Sequence, residues 1–403
     1  MSFRRYALFA TLLMTLLIPL PAAHAQETSP FWIYLFNHDT KAFVNVNLND
    51  ASSSTFTLQM PAAFADVPFY PQAYSPDGTR LALCFDADSD PYTPSDLSLL
   101  IFDLPSGEQV GTYQIPQASY CDVTAAGWAA DGNTFTFSVL NRVDQGTGPV
   151  WSIHVFDTIT QTADQTLTSD DAAVADLPYD FTGFFPTVRW VSPDEMVAFM
   201  VFPFGVGGPF AGEGFVWRVA DGIVEANEIF GGAELSVLGG EVLWLDENPA
   251  FAGINPIGDG PIFNEVMFSD KSGEGPRPLY IDRGFFICGA KYIDGGRKVA
   301  ILTCSFDYTQ YVWRFVDRTG GGTTLPIEDA CHFSSTSLVG TPNGYLVLKC
   351  DDQNGAELER HTFVGNNTMP DVGVLWFEPT GQWSLAAAPL APDSAGSGWP
   401  SAQ

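Results

Sequence analysis

The chain has 403 residues, of which 47 are Asp or Glu and 17 are Lys or Arg, giving a formal net charge of -30. That balance repels nucleic-acid phosphates and anionic membrane surfaces, so neither is expected as a partner. With 46% hydrophobic and 14% aromatic residues, disorder is set aside too, and there is material for a large core.

Met1–Ala25 reads as a secretory signal. Arg4 and Arg5 form the positive start, an apolar run follows from Tyr6 to about Leu20, and Ala23-His24-Ala25 supplies a small-x-small cleavage site before Gln26. The run is short for a membrane anchor. No Cys follows it, so a lipoprotein anchor is not expected. No later segment is long and apolar enough to cross a bilayer. Removal takes Arg4 and Arg5 but no acidic residue, so the mature chain is more acidic still. A secreted or periplasmic protein is expected.

The mature chain opens on an apolar hairpin, Phe31 to Leu48 (FWIYLFNHDTKAFVNVNL). The clearest local signal comes next, Tyr74-Ser75-Pro76-Asp77-Gly78-Thr79-Arg80-Leu81-Ala82-Leu83. Pro76 presets the φ of a type I turn, Asp77 suits the next position, and Gly78 accepts positive φ without a Cβ clash. A left-handed Gly after a type I turn closes a hairpin. Beyond it Leu81 to Phe85 is apolar throughout, the pattern of a strand buried on both faces.

Versions of this element recur. Gly127-Trp128-Ala129-Ala130-Asp131-Gly132 precedes TFTFSVL, and Arg189-Trp190-Val191-Ser192-Pro193-Asp194 precedes MVAFMVF. Fainter copies stand at Leu238-Gly239-Gly240, Tyr292-Ile293-Asp294-Gly295-Gly296 and Gly340-Thr341-Pro342-Asn343-Gly344. Their spacing is about fifty residues, in the range of propeller blades. Each copy is followed by a second hairpin: LSLLIFDLPSGEQVGTYQI, WSIHVFDTITQTADQTL, GFVWRVADGIVEANEI, NEVMFSDKSGEGPRPLYI, YVWRFVDRTGGGTTLPI and VGVLWFEPTGQWSLAAA. A repeat is therefore four strands, and no segment has a helical period with caps. Four-stranded units bury little alone but bury both faces when packed radially. The expected fold is an all-β propeller of four-stranded antiparallel blades over residues 26–388. At about fifty residues per blade seven blades are expected, with six as the alternative. The Pro-, Ser- and Gly-rich tail, residues 389–403, is expected to be disordered.

The YSPDGTRLAL element with its IFDLPSGE-type partner resembles the Pro-Asp-Gly, WD-like propeller repeat of TolB and related periplasmic proteins. The resemblance covers most of the mature chain. It is close at Asp77, Asp131 and Asp194, and thins from Gly239 onward. It implies the propeller fold. The α/β domain expected ahead of the TolB propeller is not recognisable, so a Tol–Pal role is not implied, and neither is a following hydrolase domain.

Six Cys, at 84, 121, 288, 304, 331 and 350, are an even count in a secreted chain and predict disulfides. Cys84 and Cys121 lie far from the rest and are paired together. Two arrangements of the others stand: Cys288–Cys304 with Cys331–Cys350, or Cys304–Cys331 with Cys288–Cys350. The absence of Cys-x-x-Cys removes support for a zinc or thioredoxin-like site.

Asp86, Asp88, Asp90 and Asp96 have the spacing of hard oxygen ligands for calcium. Pro91 stands where a calcium loop needs Gly and the bidentate Glu is missing, so a solvated acidic loop is the competing reading. Asp351-Asp352-Gln353-Asn354 occupies the corresponding loop of the last repeat. His38, His154, His332 and His361 have no metal-ligand neighbours at suitable spacing and read as structural. Gly-x-Ser-x-Gly is absent. Gly205 to Gly214 lacks the Lys-Ser/Thr of a phosphate loop and reads as a Phe-containing loop. No catalytic residue is nominated.

The expected function is a monomeric, non-catalytic binding scaffold for a protein, peptide or glycan. The alternatives are a propeller enzyme acting on a glycan in its central channel and a calcium-stabilised surface-adhesion protein. Two channel carboxylates some 5–10 Å apart would favour the enzyme.

Overall fold

The structure is a computed structural model describing residues 32–387, apart from 87–94, 145–147, 179–184, 202–213, 228–232, 247–263, 271–274, 306–310, 319–321, 326–337, 352–354 and breaks of one or two residues at 49, 70, 72, 105, 125–126, 239–240, 285, 342–343 and 365–366.

The chain begins with β1 (Trp32–Asn37), β2 (Ala42–Asn47) and β3 (Ser53–Thr57). Blade 2 follows as β4 (Ala73–Tyr74), β5 (Arg80–Asp86), β6 (Ser95–Asp103) and β7 (Gln109–Ala118). Blade 3 is β8 (Tyr120–Asp122), β9 (Thr134–Asp144), β10 (Gly148–Asp157) and β11 (Thr162–Thr168). Blade 4 is β12 (Phe185–Trp190), β13 (Glu195–Val201), β14 (Gly214–Arg218) and β15 (Ile223–Ala226). In blade 5 come β16 (Ala233–Leu238), β17 (Glu241–Asp246), β18 (Glu265–Asp270) and β19 (Arg277–Ile281). Blade 6 holds β20 (Phe286–Ile293), β21 (Lys298–Cys304), β22 (Tyr311–Asp317) and β23 (Gly322–Leu325). Blade 7 holds β24 (Leu338–Thr341), β25 (Gly344–Asp351), β26 (Gly355–Val364) and β27 (Asn367–Glu378). Finally β28 (Trp383–Ala387) returns to pair with β1, so blade 1 has the order β28-β1-β2-β3. Seven four-stranded antiparallel sheets form a seven-bladed β-propeller.

The turns behave as their residues dictate. Gly78 takes φ 68° and donates its N–H to the Ser75 carbonyl. The Asp77 carboxylate accepts from the Thr79 N–H (3.0 Å) and the Ser75 hydroxyl (2.6 Å). Asp131 repeats this with the N–H groups of Asn133 and Thr134, beside Gly132 at φ 66°. A second bond ties each such turn to its own blade. Leu104 N–H donates to the Thr79 carbonyl, Thr158 N–H to Asn133 and Val219 N–H to Asp194.

The same bond joins His38 N–H to the Gln382 carbonyl across the ring closure, at 2.8 Å. Pro379-Thr380-Gly381-Gln382 is therefore a further turn of this kind. That corrects the expectation that VGVLWFEPTGQWSLAAA is one hairpin. Its first half belongs to β27, which pairs with β26, and its second half is β28, which pairs with β1. The third strand of blade 7 is instead Gly355–Val364.

Apolar clusters lie between consecutive blades. Ala73, Ala82 and Ile101 of blade 2 meet Trp128, Phe135 and Phe137 of blade 3. Leu346, Leu348 and Leu358 of blade 7 meet Ile33, Leu35, Trp383 and Leu385 of blade 1. First strands approach one another closely. Trp128 Nε1 donates to the Ala73 carbonyl at 2.9 Å and Trp190 Nε1 to the Gly127 carbonyl at 3.0 Å. At Gly340 any Cβ would collide with the Tyr292 carbonyl of the preceding blade.

Candidate binding site on the inner wall

The first strands of the blades form the wall around the axis, and a polar group collects where blade 3 meets blade 4. Period-two alternation puts Tyr120 and Asp122 on one face of β8 and Cys121 on the other. Cys121 is joined there to Cys84 of blade 2. Register sets Tyr120 opposite Leu140 and Asp122 opposite Ser138. Leu140 belongs to the apolar cluster shared with blade 4, so this face of β8 looks toward blade 4.

Blade 4 answers with alternate residues of β12. The Phe185 ring meets the Tyr120 ring edge to face, centroids 5.7 Å apart. The Thr187 hydroxyl donates to the Asp122 carboxylate, and the Arg189 guanidinium is close enough to act on its charge. Arg189 Nη1 also donates to Thr124 Oγ1 at 3.4 Å. Behind them on β9 stand Ser138 and Thr136, at 0% and 1% exposure. Neither hydroxyl has a hydrogen-bond partner among the described residues.

Burial is the leading influence on Asp122 and pushes its carboxyl up. The Thr187 hydrogen bond and the Arg189 charge oppose it without cancelling it. The Tyr120 phenol is pushed up to about 12, first by burial and then by the Asp122 charge. Its ring nonetheless leaves 40% of the residue exposed. The wall thus brings together a partly exposed aromatic ring, a carboxylate, a guanidinium and several buried hydroxyls within a few residues. Elsewhere on it Lys291 Nζ donates to the Leu338 carbonyl at 2.8 Å. Among the described side chains of the first strands, Asp122 is the one carboxylate.

The residues nominated from sequence fall elsewhere. Asp86 ends β5, and its side chain lies outside the described residues, as do Asp88 and Asp90. Asp96 sits on β6, exposed, and accepts the Gln117 N–H at 3.3 Å. Among the described residues no group of His, Cys, Asp and Glu is arranged to hold a metal. Cys84–Cys121 and Cys288–Cys304 are disulfides, as in the first of the two arrangements. Cys331 and the Cys350 side chain lie outside the described residues. His154 stacks on Phe137 (5.3 Å) and contacts Ser152 Oγ (2.8 Å), and burial lowers its pKa to about 4. His361 stacks on Tyr345 (4.8 Å) and contacts Glu359 (2.8 Å). His332 is outside the described residues.

Sequence reasoning passed over Tyr120, Asp122, Thr187 and Arg189. The available signal was positional. Each precedes an aromatic-and-turn element, where the first strand of a blade must lie.

The fold and wall define the chain as a seven-bladed β-propeller with a polar inner wall between blades 3 and 4. Solved structures similar to it include the Pyrococcus horikoshii acylaminoacyl peptidase, at 15% identity and TM-score 0.49, covering 82% of this chain and 48% of that one. The chain therefore spans about half the length of that relative. The β-propeller domain of the Trilobed protease from Pyrococcus furiosus matches at 14% identity and TM-score 0.48, over 86% of this chain and 98% of the domain. TolB from Acinetobacter baumannii matches at 12% identity and TM-score 0.39, over 73% and 62%. No protein-family model and no curated relative matches the chain.

Proposed function

We propose that the protein is a secreted or periplasmic, non-catalytic propeller that binds its ligand on the inner wall between blades 3 and 4. The observation that carries this reading is the group Tyr120, Asp122, Thr187 and Arg189, in which the charges balance. Glycan hydrolysis by general acid and base uses a pair of carboxyl groups. Here Asp122 is engaged by a hydroxyl and a guanidinium, an arrangement that suits holding a ligand. The Cys84–Cys121 link between blades supports an oxidising compartment. No helix among the described residues is long and apolar enough to cross a membrane.

The test is a defined array of soluble glycans and peptides probed with the wild-type protein and with Arg189→Ala. Retention of at least one ligand class, lost in the variant, is expected. Equal retention by both proteins would move the site away from this wall.

A further inference from the structure

We propose that the outer edge of blade 5, strand β19, is a docking site for an extended acidic peptide, which adds to the sheet as a further strand and places its carboxylates on Arg277 and Arg283. The site lies on the periphery of the ring and does not depend on the inner wall.

Charge singles out this edge. Residues 277–318 hold seven of the chain's 17 Lys and Arg against four Asp and no Glu, in a chain of net charge -30. Among the outermost strands of the seven sheets, β19 alone carries a basic residue. Arg314 is ion-paired with Asp282 at 3.2 Å and Arg318 with Glu241. Arg277 lies over the Phe268 ring at 4.7 Å and donates to the Arg318 carbonyl at 3.2 Å, contacts that orient its guanidinium without neutralising it. Neither Arg277 nor Arg283 has a carboxylate at ion-pairing distance among the described residues, and both are exposed. Guanidinium forks of this kind take carboxylates in charge-assisted pairs.

The backbone is open at the same place. Among the described residues β19 pairs with β18 alone. Ile281 stands opposite Glu265, and the next N–H, that of Asp282, donates inward to the Asn264 carbonyl at 2.9 Å. Successive residues of a strand turn their main-chain groups to opposite sides, so the Ile281 N–H and carbonyl face away from β18. Its side chain is 39% exposed. Pro278 has no N–H to give, which confines pairing to the end of the strand between the two arginines. A sheet edge with outward main-chain groups is a template for an added peptide strand. A polyuronate would answer the guanidiniums but has no peptide groups to match Ile281, so the peptide is the favoured occupant. The net charge of -30 opposes an acidic partner at long range. At about 0.15 M salt that field is screened beyond roughly 8 Å, whereas the guanidiniums act at contact.

Fluorescence anisotropy of a fluorescein-labelled Glu-Val-Glu-Thr-Glu-Val-Glu peptide, beside its Lys-for-Glu counterpart, tests this on the mature protein. Saturable binding of the acidic peptide alone is expected. Arg277→Gln and Arg283→Gln should each weaken it about fivefold, the loss of one partly exposed charge-assisted contact. Ile281→Pro removes an outward N–H and should weaken it by about as much. Arg218→Gln makes the same change of net charge on blade 4 and should leave binding unaltered. Unchanged near-ultraviolet circular dichroism controls for folding. Unlabelled peptide should displace the probe at a lower carboxylate concentration than polygalacturonate does, a readout that needs no variant. Absence of saturable binding overturns the inference, as does equal binding of the Lys peptide, undiminished binding by Arg277→Gln, or an equal loss in Arg218→Gln. Displacement by polygalacturonate at equal or lower carboxylate concentration would overturn the peptide class.

Discussion

Arg80 shows how single residues hold neighbouring blades together. It follows the Asp77 turn of blade 2, and its Nη1 reaches the Gly132 carbonyl (3.1 Å), Asn133 Oδ1 (3.0 Å) and Thr158 Oγ1 in blade 3. Hydrogen bonds to a charged donor are worth about 1.5–3 kcal/mol each when buried, less in this partly exposed setting. Arg80→Ala should cost about 1–2 kcal/mol in denaturant unfolding, and Arg80→Lys should recover only part of it. A change within error would show the contacts to be incidental. His154 supplies a pH signature. Its folded pKa of about 4 lies below the usual 6.5 because burial disfavours the imidazolium. Above pH 6.5 it is neutral in both states and costs nothing. Between about 6.5 and 4 the unfolded chain takes up the proton first, so stability falls as pH falls. Melting temperature should therefore drop across that window in the wild type and drop less in His154→Gln. Identical profiles would contradict the assignment. Asp122, with its raised pKa, contributes the opposite slope, because its folded carboxyl takes up a proton before the unfolded one as pH falls toward the ordinary carboxylate range.

Among elements, β28 is the one on which closure depends. Trp383 and Leu385 are buried in the cluster that joins blades 7 and 1, and Trp383 pairs with Asn37 from the other end of the chain. Trp383→Ala should cost about 3–5 kcal/mol, as large-to-small changes in packed cores do. It should also broaden the unfolding transition, because the ring loses its seam. A sharp transition at the wild-type midpoint would mean the ring does not depend on β28. The Pro-Asp-Gly turns and apolar second strands were legible in sequence, since turn chemistry and period are local. Blade 7 was legible only in part. Its third strand, Gly355–Val364, carries Glu357, Glu359, Arg360 and His361 and shows only Ala356 and Leu358 as apolar positions before them, too short a run to stand out. In the fold Glu359 accepts from Lys349 (2.7 Å) and His361 (2.8 Å). Burial raises its carboxyl, but those two partners outweigh burial and leave it below the usual range. Such pairing across strands is invisible in a run of residues, as is a closing strand whose partner stands at the opposite terminus.

For the whole molecule, blade number followed from length and period, because seven units of this size close a ring while burying both faces of each sheet. The inner wall did not follow. It is built from the ends of β8 and β12, about 65 residues apart, and nothing in either stretch names the other. The disulfides sort the same way: Cys288–Cys304 staples one hairpin, whereas Cys84–Cys121 crosses between blades 2 and 3. Removing the latter by Cys84→Ser with Cys121→Ser should cost about 2–4 kcal/mol and, through its neighbour Asp122, weaken ligand binding as well. Lost stability with intact binding would separate the link from the wall.

The central claim is that the wall between blades 3 and 4 holds a ligand without converting it. Its most direct test is mass spectrometry of the array-selected ligand after prolonged incubation with the wild-type protein and with Asp122→Asn. Full recovery of unaltered ligand from both, with weaker retention by the variant, is the result expected. Shortened or modified products from the wild type that disappear with Asp122→Asn would contradict it and make the propeller an enzyme.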